Sequence, residues 1–385
     1  MSLPEPVALI ESLVRLRTRA VIVSTGGGSQ AISHLVTTPG SSAIVLEALV
    51  PYAREAVDRL LGGSQESYCS SRTARRLAAM AWQRARELGA PAGDAVGAAV
   101  VASLRTRSAK RGPHRIFVAV QTLAATTTAA LELEKGARTR AEEETLAAAF
   151  ALAQLQEAIL PAGGVALTEP LRQGEQVVVD RVEAPPPWRD LLAGTRRAVL
   201  SSSDGIAAEA TSNRLLFPGS FDPLHEGHRL MARLAEEIAE RPVEFELSIT
   251  NVDKPALDYL ELRSRVTQFA GQTLWLTRAA TFLEKLEIFP QSTFVLGADT
   301  FTRLADPRYY GGSQAAADRA VATIARGARG LVVFGRLRDG AFEEPAKLDV
   351  PQPLRDIAYF VSEREFRMDV SSTALRRERV ACEPS

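Results

Sequence analysis

The sequence has few cysteines and no long apolar segment. Cys69 and Cys382 are far apart and match neither a disulfide framework nor a metal-ligand spacing. We therefore expect two free thiols in a reducing compartment. No run of about 18 apolar residues occurs, and residues 1–17 carry charges within their apolar pattern, so neither a membrane span nor a signal peptide is expected. The expected location is the cytoplasm.

The sequence also lacks an excess of charge. Lys+Arg and Asp+Glu balance at 46 each, so no overall field draws the molecule to nucleic acid or to an anionic membrane. We expect neither as a partner, and any anion site must be local. A length of 385 residues with 46% hydrophobic residues is enough for two separate cores, so two domains are predicted.

Residues 1–175 combine helical patterns with β-rich runs and are expected to form an α/β domain. Residues 126–160 resemble one very long helix, but Gly136 interrupts the pattern. The prediction is therefore a strand over residues 129–134 and a helix over about 138–159. The charged, proline-rich passage at 176–212 has few apolar anchors and is expected to be a linker.

Residues 213–385 alternate short apolar runs with helical patterns. Such alternation predicts βαβ units and a parallel sheet with helices on both faces. Ligands bind such sheets at the carboxyl ends of the strands. The predicted strands are residues 214–217, 243–249, 273–277, 293–297, 331–334 and 357–361.

The strongest motif follows the first of these strands and reads FPGSFDPLHEGH over residues 217–228. His225 and His228 are three apart at a predicted helix start, so they share one face beside unpaired backbone N–H groups. Gly219 and Gly227 allow the backbone to approach a ligand closely. This arrangement suits a polyphosphate. The simpler alternative is a turn with two surface histidines.

Two further polar residues follow predicted strands. Lys254 follows the second strand and could reach an anionic group, although a solvated lysine is an equal alternative. Asp299, in the sequence Gly-Ala-Asp-Thr after the fourth strand, could hold a ribose hydroxyl or a substrate amide. The alternative for Asp299 is a helix N-cap.

A second anion-ready helix start is predicted near the end of the chain. Ser371, Ser372 and Thr373 can cap a helix in which Arg376, one turn in, directs its guanidinium at a phosphate. Imidazoles, helix N-termini and a guanidinium suit nucleotidyl transfer, in which an acceptor attacks the α-phosphorus of a nucleoside triphosphate and pyrophosphate leaves. No carboxylates occur at metal-ligand spacing. Mg²⁺ is therefore expected on the triphosphate, and no protein-held metal is predicted.

GSFDPLHEGH resembles the GxFxPxHxGH motif of the nucleotidyltransferase superfamily, and SSTALR resembles its SSTxxR motif. Within that superfamily, FDPxHxGH and GADT look most like nicotinamide or nicotinate mononucleotide adenylyltransferases. The resemblance implies a Rossmann-like parallel-sheet domain over residues 213–385. It also implies transfer of the AMP group from ATP to the mononucleotide.

The same resemblance implies roles for individual residues. His225 and His228 would bind the triphosphate and stabilise the transition state, and the remaining motif residues would frame the nucleotide or hold phosphates: Gly219, Ser220, Phe221, Ser372, Thr373 and Arg376. Two alternatives remain open. One is a cytidylyltransferase for a phosphorylated alcohol, and the other is a nucleotide-binding regulatory protein without turnover.

The N-terminal domain resembles the nicotinamide-nucleotide amidase family, also found as the CinA C-terminal domain of competence-damage-inducible proteins. The residues that carry the resemblance are Thr25-Gly-Gly, Pro-Gly-Ser-Ser at 39–42, Tyr52 and Leu-Leu-Gly at 60–62. The position of that family's catalytic serine is Val23, and the position of its lysine base is Val57. Valine can neither attack a carbonyl nor accept a proton. We expect a catalytically silent domain that binds a related nucleotide or mediates homo-oligomerisation, with Ser24 or Thr25 as the alternative nucleophile.

Overall fold

The computed structural model describes residues 6–108, 110–160, 171–201, 212–252, 255–338 and 341–366. The chain forms two compact units, Met1–Arg189 with Asp253–Leu262, and Asp190–Val252 with Arg263–Ser385. No helix in these described ranges has the length and apolar character needed to cross a bilayer.

The first unit contains a six-stranded sheet in the order β2-β1-β3-β4-β5-β6. Its strands are β1 (Arg19–Thr25), β2 (Val45–Leu49), β3 (Ala95–Ser103), β4 (His114–Gln121), β5 (Ala125–Leu133) and β6 (Val177–Glu183). Its helices are α1 (Pro6–Arg15), α2 (Gln30–Thr37), α3 (Arg54–Leu61), α4 (Ser71–Glu87) and α5 (Arg140–Ile159). β1 pairs in parallel with β2 and β3, and the other pairs are antiparallel.

The predicted break near Gly136 is confirmed. Gly136 has a φ of 81°, a conformation that glycine adopts at no steric cost, between the end of β5 and the start of α5. Thr139 caps α5, because its side chain accepts from the Glu142 N–H while the Glu142 carboxylate accepts from the Thr139 N–H. This reciprocal pair satisfies two N–H groups that the helix itself leaves unpaired.

The predicted linker at 176–212 is wrong for most of its length. Its start, Val177–Glu183, is strand β6 and pairs antiparallel with β5. Residues 186–193 are helical, and Ala198–Ser201 joins the second sheet as β7. The β-branched valines at 177–179 and 182 favour an edge strand, and the prediction gave too much weight to the prolines that follow.

The second unit contains a seven-stranded sheet in the order β15-β12-β11-β8-β9-β10-β7. Besides β7 (Ala198–Ser201), its strands are β8 (Leu215–Pro218), β9 (Val243–Ser248), β10 (Leu274–Thr277), β11 (Thr293–Gly297), β12 (Gly330–Phe334) and β15 (Ala358–Val361), with a separate ribbon of β13 (Arg336–Arg338) and β14 (Ala341–Glu343). The remaining helices of the chain are α6 (Pro186–Ala193), α7 (Glu226–Ala239), α8 (Tyr259–Val266), α9 (Phe282–Ile288), α10 (Ala298–Arg303), α11 (Gln314–Gly327) and α12 (Gln352–Arg355).

All six predicted strands of this domain are confirmed, and they pair in parallel. The added strand β7 runs antiparallel beside β10. The first parallel strand, β8, lies in the middle: β9 and β10 follow on one side, and β11, β12 and β15 on the other. The strand order therefore reverses between β8 and β11. Such a switch point leaves a crevice outside the carboxyl ends of the strands, where ligands bind in open α/β sheets.

Candidate active site

The loop after β8 is anchored by an aromatic side chain. Phe221 has a φ of 44°, which is unusual for a side chain of this size, and its ring is 1% exposed. A Cβ at Gly219 would lie 2.5 Å from the Phe221 ring, so this position requires glycine. Because the ring is buried, the framing of a nucleotide by Phe221 stays a prediction for its backbone. The neighbours of the ring are Phe217, Phe245 and Phe269.

The two histidines of the loop lie together at the start of α7. His225 is the N-cap residue and His228 is in the first turn, with the ring centroids 3.8 Å apart. The backbone N–H of His225 donates to Nδ1 of His228 at 3.2 Å. A neutral His228 therefore carries its proton on Nε2, where it can donate to a ligand. Nδ1 of His225 is buried without a hydrogen-bond partner in the part of the chain that the structure describes.

Burial sets the protonation of both histidines. It lowers the pKa of His225, and it lowers the pKa of His228 to about 3, with the charge of His225 as a second cause. Both imidazoles are therefore neutral near pH 7 in the absence of ligand. An anion beside them would favour the charged form and raise both pKa values.

We predict that nucleotide binding raises the pKa of His228. The chain has four histidines, so NMR titration of the ring signals, assigned with His228→Ala, is practical. Without ligand the His228 ring should stay neutral down to pH 5, and with a magnesium complex of a non-hydrolysable triphosphate it should titrate at higher pH. The complex then binds more protons than the free protein, so affinity should increase as pH falls. Identical titration curves would contradict this electrostatic role.

A second element holds the loop from the other side. The guanidinium of Arg265, in the last turn of α8, donates to the Ser220 carbonyl at 2.6 Å and lies 3.5 Å from the Asp222 carboxylate. The side-chain oxygen of Gln268 accepts from the Leu224 N–H at 2.8 Å. Arg265 is buried, and these bonds fix the backbone that leads into His225. No pattern in the sequence links either residue to the motif, because both are distant from it in the chain.

Arg265 is therefore predicted to be a positioning residue. Arg265→Ala should lower kcat about a hundredfold, the effect of displacing catalytic groups by about 1 Å, with a smaller change in KM. Arg265→Lys should recover part of the loss. Arg263→Ala, at an exposed position of the same helix, is the matched control. Steady-state kinetics tests this, and equal effects of the two alanine variants would contradict it.

Asp299 lies beside the same crevice, in the first turn of α10 after β11. The N-cap of this helix is Gly297, so the simple capping alternative for Asp299 does not hold. Its carboxylate forms an ion pair with Arg336, which follows β12 and lies 3.6 Å from the Glu343 carboxylate. Asp299 and Arg336 are about 40% exposed, and such exposed pairs are weak enough for a ligand to displace.

Of the other predicted site residues, Gly227 and Ser220 are described by the structure and the rest are not. Gly227 is buried in the first turn of α7, and the Ser220 carbonyl is held by Arg265. The remainder lie outside the described residues: Lys254, Ser371, Ser372, Thr373 and Arg376.

The glycine-rich loop of the first unit has different chemistry. Val23 and Val57, which replace the expected serine and lysine, are buried in the core. The Ser24 hydroxyl is also buried and donates to the Gly27 carbonyl at 3.0 Å. The Gly28 N–H donates to the Glu144 carboxylate at 2.9 Å. These polar groups of the loop are therefore satisfied within the loop and by Glu144 of α5.

A parallel sheet with a switch point, and a pair of histidines at the helix start beside it, define an α/β domain with a candidate ligand site. Residues 216–378 match the family described as Cytidylyltransferase-like. This similarity of the C-terminal part of the chain supports nucleotidyltransferase activity in general. No curated protein matches the chain.

The N-terminal part is similar to solved structures of the competence-damaged protein (CinA) superfamily. The Escherichia coli protein is 21% identical over 40% of this chain and 89% of its own, with a TM-score of 0.34. The competence or damage-inducible protein from Enterobacter asburiae is 19% identical over 41% and 99%, with a TM-score of 0.35. The Agrobacterium tumefaciens protein is 21% identical over 41% and 99%, with a TM-score of 0.33. A likeness of this size carries no conclusion about activity.

Proposed function

We propose that the chain is an adenylyltransferase that moves the AMP group of ATP to nicotinamide or nicotinate mononucleotide and releases pyrophosphate. The observation that supports this most is the His225–His228 pair at the switch point of a cytidylyltransferase-like domain. The choice of acceptor rests on the resemblance of the motifs to those of mononucleotide adenylyltransferases. ATP enters as its magnesium complex, so the metal belongs to the substrate.

In this proposal the histidines act as donors to charge that develops during transfer. Nε2 of His228 donates to a phosphate oxygen, and the N-terminus of α7 adds its unpaired N–H groups. His225 takes up a proton once the triphosphate is bound and then donates as well. Arg376, Ser371, Ser372 and Thr373 would hold the phosphates from the C-terminal motif, Lys254 would hold the acceptor, and Asp299 would accept from a ribose hydroxyl.

The acceptor is tested by a matrix of ATP or CTP against candidate acceptors, with pyrophosphate release as the readout. We expect turnover with ATP and a nicotinamide or nicotinate mononucleotide. A phosphorylated alcohol such as phosphocholine or glycerol 3-phosphate serves as the competing acceptor. Turnover with ATP and the mononucleotide, but not with the phosphorylated alcohol, supports the proposal. Turnover with CTP only would contradict the choice of ATP.

A cytidylyltransferase for a phosphorylated alcohol is the second candidate. The family description of residues 216–378 favours it, since the family is named for transfer of a cytidylyl group. The same matrix decides between the two. A non-catalytic regulator is the third candidate, and it predicts equally negligible turnover of wild type and His228→Ala with every acceptor while both still bind nucleotide.

For the first unit we propose a binding domain without amidase chemistry, which binds a related nucleotide or mediates homo-oligomerisation. Buried valines at positions 23 and 57 support the loss of amidase activity. Release of ammonia from nicotinamide mononucleotide by the purified protein would contradict this, and the Ser24→Ala variant would then show whether Ser24 is the nucleophile.

A further inference from the structure

The connection between β3 and β4 concentrates positive charge at one edge of the first sheet. Residues 104–113 contain Arg105, Arg107, Lys110 and Arg111 and no acidic residue. Because β3 is parallel to β1, this connection starts at the same carboxyl edge as the glycine-rich loop that follows β1. Cations on a solvated loop need no ligand. Cations that hydrogen bonds hold in fixed positions can instead form an anion site.

Two lysines of this edge are held by uncharged oxygens, most of them backbone carbonyls. The ammonium of Lys110 donates to the carbonyl and the hydroxyl of Ser103, both at 2.6 Å. The ammonium of Lys135 donates to the carbonyls of Lys110 and Arg111 at 2.9 and 2.8 Å. These acceptors carry no net charge, so they fix the ammonium groups without neutralising them. Lys110 and Lys135 are also the only lysines in the first 253 residues of the chain.

Two arginines are held in the same manner. Arg105 donates to the Arg138 carbonyl at 2.8 Å, and Arg172 donates to the Ala137 carbonyl at 2.5 Å. We call the set of Arg105, Lys110, Arg111, Lys135 and Arg172 the basic cluster. Within the described ranges, none of its five members lies within ion-pair distance of a carboxylate.

The nearby carboxylates have other partners. Glu143 is fully buried and accepts from His114 at 2.6 Å and from the Arg105 backbone N–H at 2.6 Å. Glu175 pairs with Arg138, with 2.8 Å between Nη2 and Oε2. Burial lowers the pKa of Lys110 and outweighs the opposing charges of Cys69 and Glu143, and the charges of Lys135 and Arg140 act in the same direction as burial. The charge of the basic cluster is thus positive and is not neutralised by a direct ion pair within the described residues, while Glu142 and Glu143 act on Arg172 and Lys110 from a longer distance.

We propose that the basic cluster binds a compact polyphosphate, either inorganic pyrophosphate or the phosphate chain of a free nucleotide. Hydrogen bonds between the chain segments that carry these cations hold the cations together. The cluster therefore matches an anion with several charges close together. A nucleic acid strand would need cations along an extended track, and the chain as a whole has no net charge. The site lies outside the nucleotidyltransferase domain and does not depend on its activity.

Lysine acylation of the full-length protein tests this locally. The chain has five lysines, Lys110, Lys135, Lys254, Lys285 and Lys347, so mass spectrometry after acetic anhydride treatment reports each one. The added anions are pyrophosphate, a nucleoside triphosphate, orthophosphate and a single-stranded oligonucleotide. At ten times the dissociation constant, pyrophosphate or the triphosphate should slow acylation of Lys110 and Lys135 about tenfold. Lys347 should be unaffected. Whichever of pyrophosphate and the nucleoside triphosphate protects at the lower concentration is the polyphosphate that the site prefers.

Two variants separate this site from the nucleotidyltransferase domain. Arg111→Ala combined with Arg172→Ala should raise the concentration needed for protection at least about tenfold, because two of five positive charges are lost. Arg15→Ala, an exposed arginine on α1, should change nothing. The proposal is overturned if neither polyphosphate protects, if only the oligonucleotide does, or if protection persists unchanged in the double variant.

Discussion

Replacing His228 with alanine is expected to lower kcat about a hundredfold or more, since the loss of one donor to transition-state charge typically has this effect. The ring is already oriented as a donor, because its Nδ1 accepts from the backbone at 3.2 Å and the Nε2 proton is left for the substrate. Burial keeps the imidazole neutral, with a pKa of about 3, so the empty site does not hold an unpaired charge.

Two further variants sharpen the test. His228→Asn retains an N–H donor and should retain more activity than His228→Ala. His34→Ala, in the first unit, is the matched control and should leave turnover unchanged. Because the His228 ring packs against Phe217 and Phe221, circular dichroism must show that the alanine variant is folded. A folded His228→Ala protein with unchanged kcat would contradict the assigned role.

The largest effect on stability is expected from Lys285→Met. Its ammonium lies 2.8 and 2.7 Å from the two carboxylate oxygens of Glu246, and Lys285 and Glu246 are 6% and 1% exposed. Removing one member of such a pair leaves a buried charge without compensation, which destabilises by about 3–5 kcal/mol. The Glu246 carbonyl also accepts from the Gly219 N–H, so the start of the histidine loop depends on the same strand.

The measurement is urea denaturation of the second unit. Trp82 and Trp188 lie in the first unit, so a background with both changed to phenylalanine leaves Trp275 as the fluorescent reporter. Combining Lys285→Met with Glu246→Leu should recover most of the lost stability. Arg197→Met breaks an exposed pair with Glu287, on the same helix as Lys285, and should change the free energy of unfolding by less than about 1 kcal/mol. Equal effects of the two methionine variants would contradict the interpretation.

The sheet of the second unit was predictable because each strand is a short apolar run between polar helical patterns. Six such runs gave the six parallel strands, and the motif at residues 217–228 then had to lie at a carboxyl edge. The sequence did not predict the position of β8 at the centre, on which the crevice depends. Strand order arises from packing between distant segments, and local periodicity does not encode it.

The site was predictable only where its residues are adjacent in the chain. His225 and His228 were found by their spacing, whereas Arg265 and Gln268 reach the same loop from about 40 residues away and have no local signal. Phe221 was assigned to the nucleotide, but its ring fills the core beneath the loop. A motif gives the identity of a residue and not the direction of its side chain.

Arg336 illustrates the same limit. Nothing in the sequence around it indicates that it pairs with Asp299, because Asp299 lies in α10 after β11 and Arg336 lies in β13 after the neighbouring strand β12. The pairing changes the expected role of Asp299, whose carboxylate must exchange Arg336 for a ribose hydroxyl if it is to contact substrate.

The most direct test of the central claim follows the α-phosphorus. Wild-type protein is incubated with nicotinamide or nicotinate mononucleotide and ATP labelled either at the α- or at the γ-phosphate, and the products are separated. We predict that the α-label appears in a dinucleotide and the γ-label in pyrophosphate, and that both products form at least about a hundredfold more slowly in His228→Ala. Release of the γ-label as orthophosphate, with no label transferred to the acceptor, would contradict nucleotidyl transfer.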